Sequence, residues 1–389
     1  ISCMNDLRPV ALSSIFMKFL ERLVLCKIKH EFRSKSDRNH FACQHNRSVE
    51  DAILTFTNNI YQHLDTPTSY CRILFVDFSS AFNTIQPHLL IQKMMSMNLN
   101  KTVISWVMEF LSERQQFVQF SDVKSNTIVT STGAPQGCVL SPSLFTIYTN
   151  DCISSDPCHV PLLKFADDTT LQGLIVNGDE LPYRHEIECF LAWCGNNALQ
   201  LNVNKTKELV IDFRRKKANI DPLEINGQEV EQVSTYKYLG VTIDNKLLWN
   251  AHSRSVRSKM VQRMYFLNKL NNYKVDKTLC TLFYKSMIES VLIFCITCWG
   301  GNCQAMEKGK INKLIKKAKN HTLGLDSFDD LYIKFCLTKM IKIYHDKTHP
   351  LNLLIKPSTH SERFQVISTK SERHRKSFIP SSIRLYNAS

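Results

Sequence analysis

Two adjacent aspartates, Asp167 and Asp168, stand in KFADDTTL directly after the apolar residues Leu162, Leu163, Phe165 and Ala166. Aspartate is favoured at hairpin turns, and an isolated Asp-Asp pair says no more than that. A third carboxylate changes the reading. Asp77 lies in ILFVDFSSAF, a β-branched and aromatic run of strand length with no obvious basic mate in the strand. A carboxylate among buried strand residues is costly unless it is paired or bound to a cation. If the two strands are antiparallel neighbours, their ends bring Asp77, Asp167 and Asp168 to one point. Carboxylates so clustered raise one another's pKa unless divalent cations neutralise them. Oxygen-only donors suit Mg²⁺, with Mn²⁺ as the usual substitute. Two such ions about 4 Å apart activate an attacking hydroxyl and hold the leaving oxygen of an in-line phosphoryl displacement. Polymerases and metal nucleases share that chemistry.

These residues need a sheet to carry them. CRILFVDF reads as a strand, and TTLQGLIV after the Asp pair reads as an antiparallel return of the strand that ends before the pair, leaving the carboxylates at a hairpin tip. Helical spacing of apolar residues runs over 12–28 and again through SVEDAILTFTNNIYQHL, where Ser48 is suited to cap the helix. Pro87 is suited to open a further helix, PHLLIQKMMSM. In STGAPQGCVLSPSLF, Gly133, Pro135 and Gly137 forbid regular structure before Ser141 and Pro142 start a helix through Tyr148. LQLNVNKTKELVIDF alternates on both sides of 204–206 as a hairpin would, and INGQEV carries an Asn-Gly turn. Beyond Trp249 the pattern becomes long and helical, with Met260, Met264, Leu267 and Leu270 on one side. The last sixty residues are basic and less periodic.

The chain has 389 residues, 43% of them hydrophobic, enough for two or three domains with real cores. Its 49 lysines and arginines exceed 35 acidic residues, a formal charge of +14 that favours a polyanionic partner, nucleic acid first. The longest apolar run, 291–299, is far short of the roughly 20 residues of a membrane-spanning helix, so no membrane association is expected. Fourteen cysteines are scattered singly through apolar segments, which fits reduced thiols in an intracellular protein, nuclear and/or cytoplasmic. Cys295 and Cys298 form a C-x-x-C inside an apolar run without a second ligand pair, and read as core. RRKK at 214–217 reads as a solvated strand end rather than a nuclear address.

The motifs LRPVALSSIFMKFLERLV, NRSVEDAI, FVDFSSAFNTI, GAPQGCVLSP, KFADDTTL, LNVNKTKELVIDFRR and KYLGVTID follow one another in that order. In this order the chain resembles the reverse transcriptase of non-LTR (LINE-type) retrotransposons from about 7 to 241, and KSFIPSSIRLYN near the end also looks like that family. The resemblance implies an α+β right-hand polymerase. Its fingers would occupy 1–70, a palm with an antiparallel sheet and interleaved fingers elements 71–248, a helical thumb 249–330 and a basic C-terminal region 331–389. It implies two Mg²⁺ on Asp77, Asp167 and Asp168, and an RNA template, a DNA primer and deoxynucleoside triphosphates as partners. Phe82 falls on the family's steric-gate aromatic, Gln136 and Gly137 on the nucleotide and template platform, and Arg8 on the arginine that clamps the triphosphate. Lys205, with Lys207 close by, falls on the lysine that serves the departing pyrophosphate. Tyr238, Leu239 and Gly240 fall on the primer-gripping hairpin.

Asn83 stands where the family commonly has Asp, and Cys43, Gln44 and His45 stand where it shows an aromatic, Arg and Pro. The fingers lysine and the N-terminal endonuclease of many relatives have no counterpart, so a fragment is expected. A catalytically silent nucleic-acid-binding remnant is the alternative. A metal nuclease is a further one, against which the PQG loop and the thumb-like region speak.

Overall fold

The fold is taken from a computed structural model, which describes residues 10–217, 220–359 and 362–388. Its central strand, β1 (Ser69–Val76), is buried along all eight residues. It pairs antiparallel with β7 (Asp168–Val176) on one side and β8 (Lys207–Ile211) on the other. With β6 (Leu162–Phe165) and β11 (Glu231–Gln232) the sheet runs β11-β8-β1-β7-β6, only the β11–β8 pair being parallel.

Side chains alternate across a strand, so β1 feeds two cores. Leu74 and Val76 join the cluster built with α1 (Ile15–Phe32), α3 (Pro87–Ser96), α4 (Lys101–Leu111), α5 (Ser141–Tyr148) and α6 (Leu181–Asn196). Cys71, Ile73 and Phe75 face the other way, toward α2 (Val49–His63) and the hairpin of β12 (Thr235–Tyr238) and β13 (Val241–Asp244). Local signals account for the helix starts. Ser14 caps α1, Ser48 and Asp51 form a reciprocal capping box on α2, and Pro87 opens α3. The expected hairpin over 199–213 does not form on its upstream side. Leu201 instead bridges Phe78 at the end of β1, and β8 alone continues as a strand.

An arm of short strands, β2 (Arg114–Gln116), β3 (Gln119–Phe120), β4 (Val123–Lys124) and β5 (Ile128–Thr130), rises before α5. A second small hairpin, β9 (Glu224–Ile225) and β10 (Gln228–Glu229), turns on Asn226 and Gly227, both at positive φ as a tight Asn-Gly turn requires. Downstream come α7 (Asn250–Asn272), α8 (Lys277–Phe283), α9 (Ser290–Ile293), α10 (Ile296–Trp299) and α11 (Ala305–Lys319). The basic last sixty residues are largely ordered, most of them in or around α12 (Phe328–His345), α13 (Glu372–Arg375) and α14 (Phe378–Ala388). Both α13 and α14 pack back on α2. Cys295 and Cys298 are buried in this core. Among the described residues no helix is long and apolar enough to cross a membrane.

Candidate active site

The ladder between β1 and β7 ends at Val76 opposite Thr169. One step further, the register sets Asp77 across from Asp168, at a spacing of about 4.5–5.5 Å between Cα atoms for facing residues. Phe165 pairs with Asp168, so Ala166 and Asp167 form a two-residue turn. Ala166 has φ +55 and Asp167 is not at positive φ, the pattern of a type II′ hairpin, whose first position favours glycine. An alanine there costs about 1–3 kcal/mol, strain of the kind that gathers at functional turns. The two aspartates stay exposed at the tip, and Asp77 is half-buried.

Parity fixes the side. Asp77 continues the face of Phe75, and Asp168 the face of Thr170, which pairs with Phe75. Both therefore look toward the β12–β13 hairpin. Tyr236 of that hairpin stacks on Phe75 with ring centroids 3.9 Å apart and planes 14° from parallel. Its phenol is pushed up to about 12 by burial and then by the negative charges of Asp168 and Asp77, so one ring feels both carboxylates. Sequence reasoning missed Tyr236. Its signal was the alternation in STYKYLGV, which puts Tyr236 on the same strand face as Tyr238.

Among the described residues no three acidic, histidine or cysteine side chains stand close enough together to cage an ion. The expected two-ion site is thus not pre-formed in the side chains, although the backbone gathers their carriers. The donor set still fits. Mg²⁺ retains waters and is usually held by one or two carboxylates together with substrate phosphates, not by an all-protein cage. Two exposed aspartates and one half-buried one at a strand end meet that need.

The far side of Asp77 is closed by the 200–206 segment. The Asp77 N–H donates to the Thr206 hydroxyl at 3.3 Å, and the Asn202 N–H donates to the Asp77 carbonyl at 2.8 Å. Lys205 sits exposed in this turn, three residues past the Asn202 that binds the Asp77 carbonyl. Lys207 is already engaged, donating to the Asn204 carbonyl and pairing with Glu231 at 2.8 Å.

The loop expected to meet the nucleotide is sutured to the segment after Asp77. Gly133 N–H donates to Ile85 O and Ala134 N–H to Phe82 O, both at 2.7 Å. Gly133, at φ +71, lies so close to Asn83 that a Cβ would stand 2.8 Å from its backbone. Phe82 is half-buried, its ring 5.1 Å from that of Phe145 on α5. Gln136 is half-buried and Gly137 exposed at φ +93, with Val10 packed over the place a Cβ would take. Ala11 N–H donates to Gln136 O at 2.7 Å. Arg8, expected at the triphosphate, lies outside the described residues.

The expected primer hairpin turns on Leu239 and Gly240, both at positive φ. Tyr238 is only 2% exposed and packs between Phe56 and Phe75, so its side chain belongs to the core. It points inward because it shares a strand face with Tyr236. Outward the hairpin offers Lys237 and the Leu239–Gly240 turn, the latter close to Phe294.

A profile of the family described as reverse transcriptase (RNA-dependent DNA polymerase) matches residues 3–243. A second profile, described as alkylated DNA repair protein alkB homolog 8, N-terminal, matches only residues 249–290. The chain is 28% identical over 306 residues to the probable RNA-directed DNA polymerase from transposon BS of Drosophila melanogaster, covering 75% of this chain and 33% of that protein. It is 22% identical over 329 residues to the RNA-directed DNA polymerase from mobile element jockey of the same organism, covering 80% and 34%. The chain therefore spans about a third of the length of these curated relatives. Among solved structures it is similar to apo telomerase from Candida tropicalis, with a TM-score of 0.44 and 11% identity over 95% of this chain and 57% of that one.

Proposed function

The chain belongs to the reverse transcriptase (RNA-dependent DNA polymerase) family, whose profile covers more than half of it, and on that premise we propose that it carries out RNA-directed DNA synthesis. The observation that carries the reading is the approach of Asp77 and Asp168 from two antiparallel strands on one face of the sheet, where Tyr236 feels both charges. Asp77, Asp167 and Asp168 would hold two Mg²⁺, or Mn²⁺ in their place. When bound, such ions supply activation of a primer 3′-hydroxyl and neutralisation of charge on the departing pyrophosphate.

The chain's own residues do the rest by positioning. Phe82 would lie under the sugar of a deoxynucleoside triphosphate and crowd a 2′-hydroxyl. Gln136 would donate to the sugar or base, and Gly137 would let the backbone come close. Lys205 would offer a proton or a charge to pyrophosphate, the role for which Lys207 is less suited because Glu231 already holds it. The β12–β13 hairpin would steady the primer through Leu239, Gly240 and the exposed Lys237. Template RNA and DNA primer would be held mainly by phosphates on the basic helices that follow Trp249, the thumb of this reading, with the fingers in residues 1–70 and the palm in 71–248.

Primer extension on an RNA template, with the parent chain beside Asp167→Ala, tests this. The expected result is extension by the parent and its loss in the variant, with template–primer binding retained. Binding without extension by the parent would instead mark a silent remnant, and cleavage of the template strand a nuclease.

A further inference from the structure

Helix α5 follows directly on the Gln136–Gly137 loop, and its N-terminus is capped from another part of the chain. Leu140, the N-cap, provides no side-chain acceptor of its own. Glu21 of α1 supplies one. Its Oε2 accepts the Val139 N–H at 2.7 Å and the Leu140 N–H at 3.0 Å, across 118 and 119 residues of sequence.

This carboxylate is 0% exposed. Among the described residues no lysine, arginine or histidine pairs with it, and its Oε1 is buried without a hydrogen bond of ordinary geometry. The Cys138 thiol lies against it. Two N–H groups at the start of a helix thus hold a buried carboxyl group. An apolar residue here would leave the Val139 and Leu140 N–H groups without this acceptor, so the glutamate is what ties the end of the loop to α1. The lead-in to α1 holds the loop from its other side, through Ala11 N–H on Gln136 O and Val10 against Gly137. Cys138 alone separates the two grips.

We propose that Glu21 is a positioning residue for nucleotide binding, its carboxylate fixing the Gln136–Gly137 loop at the height where a deoxynucleoside triphosphate is received. The inference rests on the polymerase reading, and it concerns a residue that touches neither nucleotide nor metal. Exchanging the carboxyl group for an amide of the same length should loosen the loop and leave the aspartates where they are. The consequence is a split between the kinetic constants, because a residue that shapes a binding surface moves KM more than kcat.

The test compares the parent with Glu21→Gln and Glu21→Ala in single-nucleotide primer extension, together with amide hydrogen exchange at Val139 and Leu140 in the protein alone. For Glu21→Gln the expected result is a KM for the deoxynucleotide raised about tenfold with kcat within about twofold. Exchange at the two amides should quicken in Glu21→Gln and quicken further in Glu21→Ala. Ala leaves two buried donors unpaired, so Gln carries the test if Ala does not fold. An unchanged KM in folded Glu21→Gln, or a fall in melting temperature with KM and kcat both intact, overturns the proposal. Should the parent itself fail to extend primers, the polymerase reading fails, and unchanged exchange at Val139 and Leu140 would then separately refute the grip of Glu21 on the loop.

Discussion

Asp77 illustrates how one side chain takes its role from strand parity. Shifted one position, it would face the α3–α6 side with Leu74 and Val76, away from Tyr236 and Asp168. Phe82 owes its place to the two backbone hydrogen bonds that tie its segment to Gly133 and Ala134, so its ring can be cut back without freeing the loop. Phe82→Val should therefore leave deoxynucleotide incorporation within severalfold of the parent while discrimination against ribonucleotides falls at least about tenfold. Paired incorporation assays with each nucleotide type measure this, and unchanged discrimination would return Phe82 to the role of a core aromatic.

Among the elements, α2 bears much of the load, because its two ends anchor the last part of the chain. At its start Asp51 accepts from His349 at 3.0 Å and pairs with Lys339 at 2.6 Å; just past its end Asp65 pairs with His374 at 2.6 Å. Burial alone would raise the Asp51 carboxyl, but His349, Lys339 and Ser48 outweigh it and hold the group well below the usual carboxylate range. A depressed carboxyl contributes stability above its unfolded pKa of about 3.9 and loses it as pH falls below that value toward the folded one. Asp51→Asn should thus cost about 3 kcal/mol at pH 7 and progressively less below about pH 4, read from denaturant unfolding across pH. A constant difference at all pH values would contradict the assignment. Much of this architecture was legible beforehand. Ser48, Pro87, Pro142 and the Asn226–Gly227 turn announce their elements through local chemistry. What escaped depends on partners distant in sequence. Leu201 alternates like a strand residue but is claimed by Phe78, Tyr238 is drawn inward by Phe56 and Phe75, and the C-terminal helices find α2 through residues some 300 positions away.

For the molecule as a whole, one apolar cluster runs from α2 and the sheet through β12–β13 to α7, α11, α12 and α14, so the sheet face that carries Asp77 and Asp168 and the basic helices share a core. Lysines 313, 316, 317 and 319 of α11 stay exposed, whereas Arg254 and Arg257 of α7 lie within 3.8 Å and 3.6 Å of the buried Glu307. With a formal charge of +14, template–primer affinity should fall steeply with salt, with a log-log slope of about −0.9 per neutralised duplex phosphate. A flat response in a binding titration would leave these helices without a nucleic-acid role. The proposed chemistry depends most on Asp77, Asp167 and Asp168 acting as one ligand set, and the direct measurement is Mn²⁺ binding by electron paramagnetic resonance with template–primer and a non-reactive deoxynucleotide analogue present. The predicted result is about two ions per parent chain and a loss of bound Mn²⁺ in both Asp77→Asn and Asp167→Asn, whereas an Asp77→Asn chain that binds Mn²⁺ as the parent does would contradict it.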